Sequence, residues 1–237
     1  MKLTEIKTQI LIGSALGDGH FTPNGTFQTG SKHKEWVDFK ANKLREYTSD
    51  NWYDFLPSQG YSDNPYHKMR TLVSDDIKWV QRMTLPYLVS NLTEVGLAVW
   101  FYDDGSLHKS NLFYNLCTHS FTYQEHIQYI IPALARFGII AEVLKEIKKD
   151  GRVFYYTYIS KRKGAEIVNK ILKKYPIDCY SYKTSTVDIN STLSVKSVKT
   201  THFISGKEII HENLKQHFKT ETKTGFSYSK ADRLFRF

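Results

Sequence analysis

The sequence predicts an α+β protein built from two tandem copies of one αββαββα unit, with a small helical extension at the C-terminus. Three observations carry this. An apolar helical run ending in Asp-Gly occurs twice, as LIGSALGDG (Leu11 to Gly19) and LAVWFYDDG (Leu97 to Gly105). Behind each run the same order of strand-like and amphipathic segments recurs at a nearly constant offset, the signature of an internal repeat. No Gly/Ser- or Pro-rich linker separates the copies, so the chain divides into units at 1–93 and 94–187, and the repeat is spent before 188–237.

In the first unit the apolar residues before Asp18 are compatible with a helix that glycine ends. HFTPNGTFQTGS then reads as short strands with turn chemistry, and KEWVDFKANKLREY as a helix with Trp36, Phe39, Lys43 and Leu44 at helical spacing. YHKMRTLVS is strand-like, and DDIKWVQRM is a helix that Pro86 is expected to stop. The second unit follows the same order. SLHKSNLFYNLCTHS supplies strands, and TYQEHIQYIIPALARFG a helix whose face holds Ile127, Ile130, Ile131 and Leu134. AEVLKEIKKDGRVFYYTYIS reads as a hairpin turning at Asp150-Gly151, its aromatic strand expected in the sheet core, and RKGAEIVNKILKKYP as a helix stopped by Pro176. Beyond it, DINSTLSVKSVKTTHF is a polar connector. Ser205 and Glu208 stand in capping-box register ahead of an apolar stripe, Ile209, Ile210, Leu214 and Phe218. From 190 onward nine Lys and Arg oppose four Asp and Glu, so the extension is expected to be basic enough to add to a polyanion footprint.

The 237 residues carry 33 Lys and Arg against 24 Asp and Glu, a formal charge of +9, together with 16 Tyr and 14 Phe. Cationic side chains release condensed counterions from phosphates, so this balance points to a polyanionic partner. Two cysteines, Cys117 and Cys179, are too few for a disulfide framework or zinc cluster, and none of the nine histidines has metal-ligand spacing. His119 is expected to be structural. No apolar run reaches the length of a bilayer span and the N-terminus does not read as a signal peptide, so an intracellular, soluble protein with no membrane partner is expected; a monomer is the expected state.

Each motif helix would deliver a carboxylate at its C-terminal end, where the helix dipole is already negative; such placement calls for a nearby cation. Gly13, Ser14, Ala15 and Gly17 in the first motif, with Gly96 and Ala98 in the second, would let the helices approach closely. Packed side by side, they would bring Asp18 and Asp104 together as hard oxygen ligands for a divalent cation, an arrangement suited to phosphodiester hydrolysis.

With their matched flanks, LIGSALGDG and LAVWFYDDG resemble the two signature helices of a single-chain LAGLIDADG homing endonuclease, a resemblance that covers residues 5–187. It implies a saddle of two antiparallel sheets lying along the DNA major groove, with both strands cut using Mg2+ (or Mn2+) to leave 3′ overhangs. By position it makes Asp18 and Asp104 the metal-binding catalytic carboxylates. Gly17 and Asp103, which precede them, join the metal set, Asp103 as a secondary, helix-end group. A basic residue near each centre is also implied. Lys183 matches it in the second half, whereas no Lys or Arg lies between Met83 and Leu107, so the nearest first-half candidate is Arg82. Arginine is no general base at neutral pH, and unequal strand cleavage would follow.

Alternation puts one face of each sheet on the helices and offers the other to the groove. The polar candidates for DNA contact are His20, Thr22, Asn24, Gln28, Lys32, Lys34, Lys68 and Arg70 in the first half, and His108, Lys109, Asn111, Lys145, Lys148, Lys149 and Arg152 in the second. Arg and Lys suit guanine edges and phosphates, Gln and Asn suit adenine, and the turn residues Lys148, Lys149 and Arg152 suit phosphates. An intron-RNA maturase, or a DNA-binding regulator without catalysis, is the alternative on the same fold; intron RNA is then the partner.

Overall fold

The computed structural model describes residues 4–48, 53–55, 66–108, 110 and 112–185. Lys109, Asn111 and the extension expected over 188–237 lie outside the described residues.

Both expected units are present in the expected order. The first runs α1 (Glu5–Leu16), β1 (His20–Phe21), β2 (Phe27–Ser31), α2 (Lys34–Lys43), β3 (Tyr53–Phe55), β4 (Tyr66–Arg70) and α3 (Asp75–Gln81), and then a short α4 (Leu85–Ser90). The second runs α5 (Glu94–Asp104), β5 (Gly105–His108), β6 (Phe113–Leu116), a broken helix from α6 (Tyr123–Glu125) to α7 (Ile131–Ala135), β7 (Glu142–Ile147), β8 (Val153–Ile159) and α8 (Ala165–Lys174). A 3-10 helix, Asp178–Lys183, follows. Each unit forms one four-stranded antiparallel sheet, ordered β1-β2-β4-β3 and β5-β6-β8-β7.

The motif helices form the spine. Every residue of α1 from Gln9 to Leu16 is buried, as are Gly96 to Tyr102 of α5, because each helix is covered on all sides rather than on one stripe. They cross in direct backbone contact: a Cβ added to Gly13 would stand 2.3 Å from the Gly96 carbonyl oxygen. The small residues of the two motifs are therefore the condition of this crossing. Around the spine, Phe27, Trp36, Leu44 and Met69 of the first unit join Tyr114, Leu116, Ile130, Leu134, Ile159 and Leu172 of the second in one apolar core.

One proline acts differently from expectation. Pro86 does not stop α3, which already ends at Gln81; it sits in the first turn of α4, where its missing N–H costs nothing. Pro132 stands inside the second unit's amphipathic helix, which widens into a π turn over His126–Ile130 just ahead of it, since Pro132 cannot donate to the helical ladder. Pro176 does follow the end of α8, and the Asp150-Gly151 hairpin closes as expected with Gly151 at φ 81°. The aromatic strand divides between faces: Tyr155, Thr157 and Ile159 share the helix side, and Phe154, Tyr156 and Tyr158 the open side.

Candidate active site and nucleic-acid face

Helix α1 ends at Gly17, whose N–H donates to the carbonyls of Gly13 and Ser14, and the chain turns sharply so that Gly19 N–H also reaches Ser14 at 2.7 Å. This turn leaves Asp18 exposed at the helix tip. Helix α5 ends at Asp104 itself, whose carbonyl accepts from Cys117 N–H at 3.0 Å, so the second acid is tied to the end of β6. The two acids converge electrostatically: Asp18 and Asp104 both act on Lys183 and on the Cys117 thiol.

Lys183 lies at the end of the 3-10 helix with 7% of its surface exposed, and its Nζ donates to the Tyr102 carbonyl at 2.5 Å. It thus caps α5 at the turn before the acid, with its ammonium 4.6 Å from the Tyr180 ring centroid. Burial lowers its pKa to about 8, against the pull of Asp103, Asp104 and Asp18 and with help from Lys32. Lys32, which follows β2, is a first-half cation within electrostatic reach of Lys183. Arg82 is exposed at the end of α3, and among the described residues no hydrogen bond or ion pair joins it to either acid.

Asp103 is held away from the surface. Its Oδ1 accepts from Lys40 Nζ at 2.8 Å and from Trp36 Nε1 at 2.7 Å, and its Oδ2 accepts from Lys40 at 2.9 Å. The Lys40 and Asp103 side chains are 0% and 1% exposed. Sequence reasoning missed Lys40, although the signal was there: it occupies the apolar stripe Trp36, Val37, Ala41 and Leu44, where a lysine needs a buried partner. Tyr66 was missed as well. It packs over Gly30 on the open face of the first sheet, and its pKa is raised by burial and then by Asp18 and Asp103.

The strand registers sort the expected DNA contacts. His20 pairs with Gln28, Gln28 with Arg70, and Lys68 with Gly30, so His20, Gln28, Lys68 and Arg70 share one face, opposite the buried Phe27, Thr29 and Met69. Thr22 and Asn24 bond to each other in the β1–β2 turn. Lys34 is in α2, not a strand, and pairs with Asp38 at 2.9 Å. In the second sheet the open face holds Ser106, His108, Phe113, Asn115 and Tyr158, with His108 stacked on Phe113 at 4.6 Å. Lys145 falls on the other face: it pairs with Tyr155, in step with buried Val143. Lys148 and Arg152 flank the hairpin turn beside Lys149, paired with Glu146 and Asp150. His119 sits on the open face, its Nδ1 3.3 Å from the Cys117 sulfur and its Nε2 3.2 Å from a Glu146 oxygen, a contact not aligned as a hydrogen bond.

A family model for the LAGLIDADG DNA endonuclease family matches residues 8–167, well over half the chain. The chain belongs to the LAGLIDADG DNA endonuclease family. It is 24% identical over 216 residues to DNA endonuclease I-ChuI of Chlamydomonas applanata, covering 78% of this chain and 97% of the relative. It is 30% identical over 96 residues to a probable intron-encoded DNA endonuclease 3 of Mycosarcoma maydis, covering 40% of this chain and 66% of that one. Among solved structures it is similar to the homing endonuclease I-WcaI bound to its DNA recognition sequence, with 25% identity, a TM-score of 0.63, and coverage of 77% of this chain and 87% of the other. This LAGLIDADG protein is a site-specific DNA endonuclease of the homing type.

Proposed function

We propose that the chain hydrolyses both strands of a long, asymmetric double-stranded DNA target, using Asp18 and Asp104 as paired divalent-metal ligands. The observation that carries this is their convergence: two helix ends, brought together by the Gly13–Gly96 crossing, place both acids within electrostatic reach of one buried lysine.

The donor set fits a hard cation. Asp18 and Asp104 offer carboxylate oxygens at the negative ends of two helix dipoles. Among the described residues no cluster of three or more His, Cys, Asp or Glu could cage a metal without help. Two carboxylates completed by phosphate and water oxygens is the mode in which Mg2+ is commonly held, and Mn2+ accepts the same oxygens. When bound, the metal would polarise the scissile phosphate and favour hydroxide over water. Gly17 has only a main-chain carbonyl to offer. The Asp103 carboxylate, occupied by Lys40 and Trp36, serves the helix end rather than the metal.

Lys183 then has two tasks. Its bond to the Tyr102 carbonyl fixes the last turn of α5, and its ammonium offsets part of the charge gathered by three aspartates. With a pKa near 8 it also exchanges a proton close to neutrality. In the first half the candidate cations are Arg82, at the end of α3, and Lys32, after β2 and within electrostatic reach of Lys183. DNA lies along the open faces, with His20, Gln28, Lys68 and Arg70 meeting one half of the target and Ser106, His108 and Asn115 the other.

The test is cleavage of a randomised duplex library with Mg2+. Recovery of one long site cut on both strands, with cutting abolished by EDTA and restored by Mg2+ or Mn2+, is the expected result. Binding without cutting at any metal concentration contradicts it, and tight binding to structured intron RNA would then identify the maturase.

A further inference from the structure

Asp103 and Gly17 hold the same place in the two motifs, each immediately before a paired acid, yet they differ in what they do. A Cβ on Gly17 would lie 2.6 Å from the Asp103 Cβ and 3.0 Å from its Oδ2, so the aspartate side chain of one motif runs through the space the other motif leaves empty. It continues to Lys40 and Trp36 on α2 of the first unit. Lys40 also reaches Thr29 Oγ1 on β2 at 3.3 Å, and its ammonium lies 4.7 Å from the Trp36 ring centroid. The latch therefore joins the first unit's helix and sheet to the end of the second unit's motif helix, and it touches the chain neighbours of both acids.

A buried ion pair is a costly way to join two elements, because apolar residues of the same shape hold as well or better. What an ion pair adds is direction: a bidentate carboxylate with a third donor has one orientation, and here it fixes the backbone one residue before Asp104.

We infer that Lys40 and Trp36 are positioning residues of the catalytic centre, which act through Asp103 to set Asp104 against Asp18. This rests on the proposed role of the two acids. The latch is inherently one-sided, since Gly17 offers no side chain for a matching bond from the second unit.

The experiment compares the full chain with the double variant Lys40→Met/Asp103→Leu, which removes both charges together, and with Trp36→Phe, which removes one donor and leaves the carboxylate chemically intact. Three quantities are read: the melting temperature, the affinity for terbium(III) by its Trp- and Tyr-sensitised luminescence, and the single-turnover rate at saturating DNA on the duplex recovered with wild type. The inference expects a double variant that melts no lower than wild type, cuts about 10²-fold more slowly with unchanged DNA affinity, and binds terbium at least several-fold more weakly. Trp36→Phe moves rate and terbium affinity in the same direction by a smaller factor. A folded double variant with wild-type terbium affinity and cutting rate overturns the latch. A wild type that neither binds terbium nor cuts any duplex overturns the role of the acids instead, so the two failures are separable.

Discussion

Three lysines in this chain show how little a residue type says without its surroundings. Lys40 is sealed in the core against Asp103, Lys183 is buried under a helix end, and Lys145 lies on the helix side of its sheet. The family resemblance pointed to Lys183, which follows Pro176 and the last helix of its unit. Lys40 was passed over, since a lysine on an amphipathic helix is ordinarily solvated and its partner is 63 residues away; only its place on the apolar stripe marked it. For Lys183 the pH dependence has a definite sign. Its folded pKa, about 8, lies below the free value of 10.5, so between these limits the unfolded chain binds more protons and this site's contribution to stability rises with pH. Wild type should therefore gain urea resistance from pH 8 to 9.5 relative to Lys183→Met, and the variant should cut DNA about 10²-fold more slowly. Parallel pH curves for the two proteins would contradict the burial of this amine.

The elements were legible wherever a local pattern was strong: both motif helices, the strands other than β3 and the Asp150-Gly151 hairpin stand where periodicity and turn chemistry put them. Pro86 was misleading because proline is equally at home in a helix's first turn, and Pro132 is tolerated inside a helix that widens to accommodate it. The face of each strand was not legible, since β1 is only two residues long and the register of β7 with β8 decides where Lys145 lies. The crossing of α1 and α5 sets a further prediction at this scale. Gly13→Ala gains about 1 kcal/mol of helix propensity, but it forces a methyl against the Gly96 carbonyl, where overpacking costs about 1–3 kcal/mol. With 2.3 Å to a backbone oxygen the steric term prevails, and chemical denaturation should show a net loss of stability.

At the scale of the whole molecule the two units share a fold but not a surface. The open face of the first sheet carries Lys68 and Arg70, whereas that of the second carries His108, Phe113, Asn115 and Tyr158 and is bordered by Glu146. Phosphate contacts set the salt dependence of DNA binding, and base contacts set preference. Lys68→Ala and Arg70→Ala should each reduce the salt slope by about 1, while Asn115→Ala should leave the slope alone and relax base preference in one half of the target. Equal slopes for all three variants would contradict this division. Among the described residues no helix is long and apolar enough to cross a membrane. The central claim is that two acids from two repeats form one metal centre. Its most direct measurement is cleavage of the recovered target duplex by Asp18→Asn and Asp104→Asn beside wild type, with both strands labelled and DNA affinity followed in Ca2+. Loss of double-strand cutting in each variant, with DNA still bound, is the predicted result; double-strand cutting at the wild-type rate by either one would contradict the account.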